Sequence, residues 1–231
     1  PEPEPEPEPQ LQQEPERVPQ PQQHFGLVQH AKDAGADAAL CVCPYYNRPD
    51  QAGLEAHFRA IADTVALPII LYNVPGRTVS DVQPDTVIRL GKHPNIVGIK
   101  DATGDLARVS LHAAGLKGEQ FVQICGEDPV TLGYRAMGGT GCISVTSNVA
   151  PAEMARMHKA MDESDLETAR EIETRFIALH KALFCTPSPG PAKYALSRLG
   201  LCSDELRLPL VGPDEASRRR IEAAMEIAGL I

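Results

Sequence analysis

The sequence predicts an α/β chain of the TIM (β/α)8 barrel type, incomplete at about five of eight βα units and followed by a C-terminal helical bundle. Three observations predict it. Five short, nearly unbroken apolar runs alternate with amphipathic stretches, the pattern of βα repeats around a parallel sheet. The runs start 20 to 29 residues apart, which suits right-handed βαβ crossovers. No Gly-x-Gly-x-x-Gly follows any of them, which sets aside a dinucleotide-binding sheet.

In chain order, the predicted strands are Ala39 to Pro44, Pro68 to Val74, Ile96 to Lys100, Phe121 to Cys125 and Gly141 to Val145. Each reads as a strand buried on both faces. Helices are predicted between them over Gln51 to Thr64, Pro84 to Lys92 and Pro129 to Met137, each opening near a cap or a proline. After the fifth run only helical patterns remain: Pro151 to Met161, Asp165 to Leu183, Gly190 to Leu199 and Pro213 to Ala228. Met154, Met157 and Met161 recur at helical spacing and are read as core packing.

Residues 1–24 differ in kind, with eight prolines and six glutamates against one arginine. Little there is apolar, and proline fixes φ at alternate positions early on, so an extended, disordered tail is expected. The predicted organisation is thus residues 1–24 as tail, 25–163 as partial barrel and 164–231 as helical region. The tail also holds five of the nine net negative charges. The remainder is weakly acidic, which excludes a basic footprint for nucleic acid or anionic lipid. No run approaches 18 apolar residues and the first residues lack a signal-peptide layout, so neither a membrane nor a nucleic acid is expected as partner and the expected location is cytoplasmic.

The six cysteines are scattered. Cys41 and Cys43 share a strand face, but no second pair at zinc-ligand spacing accompanies them. The seven histidines form no His-x-x-x-His. No metal and no cofactor are expected.

Reactive groups of parallel βα folds gather at the carboxyl ends of strands. Lys100 ends the apolar run IVGIK, where burial would disfavour the ammonium and favour the amine that forms a Schiff base with a carbonyl. A lysine snorkelling to water is the competing reading. Tyr72 stands near the carboxyl end of the preceding run and Tyr46 follows the one before, so three consecutive strands would present Tyr, Tyr and Lys at one rim. Each phenol could instead be structural. Arg77, in the loop after Tyr72, carries the planar fork that captures a carboxylate, or forms an ion pair. Gly126 permits close approach of backbone to a ligand.

PYYNRP at 44–49, LYNVPGRT at 71–78, GIKDATGD at 98–105 and GGTGCISV at 138–145 resemble the dihydrodipicolinate synthase family, and the likeness runs from about His30 to Ile231. The resemblance implies that Lys100 forms an imine with pyruvate and that Tyr72 donates and accepts its protons. It implies that Tyr46 joins the relay by reaching across a dimer interface. Arg77 would bind the carboxylate of aspartate semialdehyde, and Ile143 and Gly126 would contact the keto acid through backbone atoms. Tyr45 matches one position of the family's allosteric lysine site. The implied reaction feeds lysine and diaminopimelate biosynthesis, in a homo-oligomer that is a dimer of dimers. Sister aldolases such as N-acetylneuraminate lyase generally lack the arginine. Family members begin with three further βα units, including a Gly-Thr-Thr-Gly-type strand, to which nothing here corresponds, so an N-terminally truncated chain is expected. Three readings follow: the synthase-like lyase, a non-catalytic assembly partner, and a sister pyruvate aldolase.

Overall fold

The computed structural model describes residues 20–231, with side chains from His24 onward. Five strands, β1 (Ala39–Val42), β2 (Ile69–Asn73), β3 (Ile96–Asp101), β4 (Val122–Cys125) and β5 (Gly141–Cys142), form one sheet in chain order. Every neighbouring pair is parallel. The sheet stays open: β1 and β5 each have one neighbour.

Crossovers run over one face. Helix α1 (Gln20–Asp33) precedes β1, and α2 (Gln51–Thr64) links β1 to β2. The short α3 (Pro75–Thr78) and then α4 (Pro84–Leu90) link β2 to β3, and α5 (Ala107–Gly115) links β3 to β4. A 3-10 turn (Asp128–Val130) and α6 (Thr131–Ala136) lead to β5. Helix α2 starts where Asp50 accepts the Gly53 N–H at 2.8 Å, an N-cap, and stops where Val65 turns extended. Its buried Leu54, Phe58 and Ile61 form one cluster with Ile69, Leu71, Ile96 and Ile99 of the sheet and Val87 and Leu90 of α4. At roughly 1.5–3 kcal/mol for each fully buried large aliphatic or aromatic side chain, this cluster holds the sheet to its helices.

The opposite face of the sheet is uncovered. Leu40, Val122 and Ile143 stand there 44 %, 39 % and 43 % exposed. The expectation of strands buried on both faces is therefore corrected. A strand's alternate residues point to opposite faces, and only the helix-facing set is covered, as the burial of Ile69, Leu71 and Asn73 and the partial exposure of Ile70 and Tyr72 show. Several boundaries also differ, one of them with a clear physical cause. Strand β5 ends at Cys142 rather than Val145, because the Val145 and Thr146 amides donate to the buried Asp128 carboxylate at 2.9 and 3.1 Å and start α7 (Thr146–Val149). Helix α1 starts at Gln20, inside the stretch assigned to the tail; the rest of that stretch lies outside the described residues.

The chain then continues only as helices: α8 (Pro151–Asp162), α9 (Leu166–Ala182), α10 (Gly190–Arg198) and α11 (Glu215–Ile227). Met154, Met157, Ile172, Phe176, Leu179, Ile221 and Met225 pack into a second cluster, with Met161 at its margin. Cross-links tie this cluster to the sheet end: Asp128 holds the start of α7, and the Thr146 hydroxyl lies 2.7 Å from His180 Nδ1 of α9.

Helix α1 is fastened to α2 through His24 Nδ1 and His57 Nε2, 3.0 Å apart. Burial, and then the nearby His24, push His57 down to about 4. A depressed histidine contributes stability that is complete above its ordinary value of 6.5 and is lost as pH falls toward 4. The melting temperature is expected to fall across that window, and His57→Gln to make the fall shallower, with His24, His112 and His158, also depressed by burial, supplying the residual slope. Thermal melts of both proteins between pH 4 and 7 check this; equal slopes would refute it.

Candidate active site

The site starts from the register of two strands. Tyr72 of β2 pairs with Lys100 of β3, and Asn73 with Asp101. Because side chains alternate, Tyr72 and Lys100 share the open face while Asn73 and Asp101 point into the helix layer. Lys100 Nζ lies 4.2 Å from the centroid of the Tyr72 ring, within reach of a cation–π contact. Lys100 forms no ion pair among the described residues, so its amine is available to a ligand.

Gly126, beyond the end of β4, lies against the end of β3 too closely for a side chain. A Cβ there would meet Lys100 Cε at 3.1 Å and Ala102 Cβ at 2.9 Å, and the Gly126 amide donates to the Asp101 carbonyl at 2.7 Å. On the same face lower down, a Cβ on Gly98 would lie 2.3 Å from Val122 Cγ2, so glycine is what lets β3 and β4 approach there.

Arg77 sits on α3, in the loop that leaves β2, and is exposed without an ion pair among the described residues. Buried bonds set the loop's shape. The Thr78 hydroxyl lies 3.1 and 2.8 Å from the Val74 and Ser80 carbonyls. Asn73, fully buried, donates to Asp81 at 2.8 Å and accepts the Val82 amide at 3.1 Å. Arg108 of α5 grips Asp81 with two nitrogens at 2.9 and 2.6 Å. Burial works against the Asp81 carboxylate, but the Arg108 and Asn73 hydrogen bonds outweigh it and hold the group below its ordinary range. On the helix side, Asp101 accepts the Thr103 amide and hydroxyl at 2.8 and 2.6 Å.

These elements surround one open cavity of about 650 Å3, lined by Tyr72, Arg77, Lys100, Gly126 and Ile143 among others. The structure thus brings five of the seven candidate residues together. It does not bring in Tyr45 and Tyr46. Both lie beyond the end of β1, 59 % and 89 % exposed, and neither lines the cavity. The expected rim of Tyr46, Tyr72 and Lys100 is corrected for this single chain: β1 ends at Val42, and the buried Cys43 and Pro44 carry the backbone away before the tyrosines.

Sequence reasoning placed Glu127 at the carboxyl end of a strand without giving it a role, and did not place the residues that reach the site from the helical region. Glu127 lines the cavity next to Gly126, and burial followed by the adjacent Asp128 carboxylate pushes it up. Phe184, Pro187 and Ser188 reach the cavity from the connection between α9 and α10. The Asp81–Arg108 pair spans 27 residues and carries no local pattern.

Comparison with known proteins gives a consistent result. The model of the dihydrodipicolinate synthetase family matches residues 22–228. The 4-hydroxy-tetrahydrodipicolinate synthase of Hyphomonas neptunium is 65 % identical over 205 residues, covering 88 % of this chain and 70 % of that protein. The enzyme of the same name from Phenylobacterium zucineum is 57 % identical, covering 89 % and 69 %. Among solved structures, Thermotoga maritima dihydrodipicolinate synthase superposes with a TM-score of 0.87 at 37 % identity, over 92 % of this chain and 73 % of that one. The chloride-inhibited Acinetobacter baumannii synthase complexed with pyruvate also gives 0.87, at 43 % identity, over 92 % and 72 %.

Two substitutions probe the geometry. Asp81→Asn removes the carboxylate that both terminal nitrogens of Arg108 grip, leaving the guanidinium only the more distant Asp105 carboxylate, at 3.7 Å, as ion partner, and is expected to destabilise the fold by roughly 1.5–3 kcal/mol in urea unfolding at pH 7. As a depressed carboxylate, Asp81 contributes stability above its ordinary value of 3.8 that is lost as pH falls below it, so the two proteins should converge in acid. Gly126→Ala is expected to press on Ala102, the Asp101 carbonyl and Lys100, moving the end of β3 and with it the Lys100 side chain by a few tenths of an ångström, and to slow capture of a carbonyl ligand about tenfold, with folding retained. Unchanged capture kinetics would refute that placement.

Proposed function

Because the chain belongs to the dihydrodipicolinate synthetase family, we propose that its cavity is the site of 4-hydroxy-tetrahydrodipicolinate synthase chemistry, a lyase reaction of lysine and diaminopimelate biosynthesis that condenses pyruvate with aspartate semialdehyde. The observation that carries the reading is Lys100, with Nζ free of carboxylates and 4.2 Å from the Tyr72 ring, in a cavity that Arg77 also lines.

In this reading the Lys100 amine adds to the keto carbon of pyruvate, and loss of water gives the imine. Removal of a methyl proton gives the enamine, whose carbon attacks the aldehyde carbon of aspartate semialdehyde; the aldehyde oxygen takes a proton and becomes a hydroxyl. The amino group of the adduct then attacks the imine carbon, closing the ring and returning the amine to Lys100. Tyr72, whose ring lies against Nζ, is assigned the proton transfers. Arg77 is assigned the carboxylate of the semialdehyde, for which its planar fork is suited. Backbone groups at Gly126 and Ile143 are assigned the keto acid.

Tyr46, 89 % exposed, fits a group that serves a neighbouring subunit's site rather than its own. The exposed Tyr45 beside it fits an effector or subunit contact. A homo-oligomer built as a dimer of dimers, in the cytoplasm, completes the reading; no helix among the described residues is long and apolar enough to cross a membrane.

Borohydride reduction of the chain incubated with pyruvate is expected to leave a pyruvate-derived mass on the peptide holding Lys100, and none on the Lys100→Met protein. Absence of the adduct from folded protein would overturn the Schiff-base reading. Arg77→Ala is expected to lower kcat/KM for aspartate semialdehyde roughly 10- to 100-fold, the loss of one charge-assisted contact, with pyruvate capture unchanged. Equal use of the semialdehyde by both proteins would favour a sister pyruvate aldolase.

A further inference from the structure

Behind the cavity, on the helix side of the sheet, lies a pair of thiols that the proposed chemistry does not use. Cys125 ends β4 and Cys142 ends β5, and the two are register partners on neighbouring parallel strands. Such partners point to the same face, and both thiols belong to one small cluster with Val109 and Tyr134. Neighbouring strands stand about 4.8 Å apart, inside the roughly 4.4–6.8 Å Cα separation that a disulfide spans. The other cysteines are not placed in this way. Cys41 pairs with Leu71, the Cys43 thiol faces Asn73 at 3.9 Å, and Cys185 and Cys202 lie on no strand.

We infer that Cys125 and Cys142 form a redox site, which a peroxide closes to a disulfide between the ends of β4 and β5. The Cys125 sulfur is prepared for this. It donates to the Glu127 carbonyl at 3.2 Å and accepts the Glu127 amide at 3.5 Å, and the Cys142 thiol also hydrogen-bonds to it. The Cys142 bond, joined by the Thr131 hydroxyl and the Glu127 backbone, outweighs burial and holds the Cys125 thiol below its ordinary value. Burial pushes Cys41 and Cys43 the other way, to about 11 and about 12. Thiolate is the form that attacks a peroxide. Cys125 is fully buried and Cys142 half-buried, so a small oxidant reaches the pair at Cys142.

In the reaction one sulfur of the pair, as thiolate, displaces hydroxide from the peroxide and becomes a sulfenic acid. The second sulfur attacks the first, the S–S bond forms, and the sulfenic oxygen leaves as water. Two thiols and one hydrogen peroxide give one disulfide and two waters, and two electrons pass from sulfur to oxygen. Closure reaches the cavity through the backbone, because Cys125 precedes Gly126 and Cys142 precedes Ile143, and both of those residues line it. A disulfide holds its Cβ atoms about 3.8 Å apart, less than the strand spacing, so the ends of β4 and β5 draw together.

The folded chain, treated with hydrogen peroxide and then alkylated and digested without reductant, is expected to yield two peptides joined through Cys125 and Cys142. Their mass should be two hydrogens below the sum of the separate peptides, and dithiothreitol should split them. Cys125→Ser and Cys142→Ser are each expected to yield no such pair, with circular dichroism reading whether they fold. The linked protein is expected to trap pyruvate on Lys100 at least threefold more slowly, and dithiothreitol to restore the rate. Trapping rests on the Schiff-base reading; the linked peptide does not.

Peptides that stay separate, sulfinic acid at either cysteine in place of the link, or a preferred link to any other cysteine would each overturn the inference. A link that leaves trapping unchanged would uphold the redox site and overturn its reach into the cavity. A link in a protein that gives no adduct even when reduced would uphold the redox site and overturn the Schiff-base reading.

Discussion

In-register pairing of β2 with β3 is the constraint on which the site depends. Once Tyr72 lies beside Lys100, alternation fixes that both face the cavity and that Asn73 and Asp101 face the helices. A slip of β3 by one residue would turn Lys100 under the helix layer and Asp101 onto the open face. The register is held from both sides. Ile69, Leu71 and Ile99 are fully buried against α2 and α4, while the Ala102 and Gly126 amides donate to the Asn73 and Asp101 carbonyls at 2.9 and 2.7 Å.

The helix-facing pair continues the same order outward. Asn73 fastens the loop that carries Arg77, and the loop is closed by Asp81, which Arg108 of the next crossover grips. The loop that presents the exposed Arg77 to the cavity is thus held by a second, buried arginine that does not line it. The division suits their exposure: the pair of Arg108 with Asp81 is withdrawn from solvent, where hydrogen bonds to charge are strong, while Arg77 keeps its fork free.

Burial on one face only sets the character of the sheet. Helices α2 and α4 cover its outer side, and the helices from α8 onward build a separate cluster, so the strands are held without help from inside. The inner face keeps Lys100, Tyr72 and the apolar Leu40 and Val122 uncovered. The same openness leaves the cavity wide and Ile143 43 % exposed, so a bound keto acid would lack the enclosure that strengthens electrostatic contacts.

The sequence by itself determined the element types and most of their order, because periodicity and caps are local. Helix α2 spans Gln51–Thr64 as its apolar spacing and Asp50 cap require, and the runs ending at Tyr72 and Lys100 are strands. Family membership was also legible, carried by short stretches such as LYNVPGRT and GIKDATGD. Only the tertiary structure decided what depends on distant partners. It put Glu127 and Ser188 in one cavity, joined Asp81 to Arg108, ended β5 early through Asp128 and kept Tyr46 outside the site. Apolar runs report that a strand can be buried, not whether a neighbour exists to bury it. For that reason the open inner face, with Leu40 and Val122 exposed, is a property of the assembled sheet and not of any run within it.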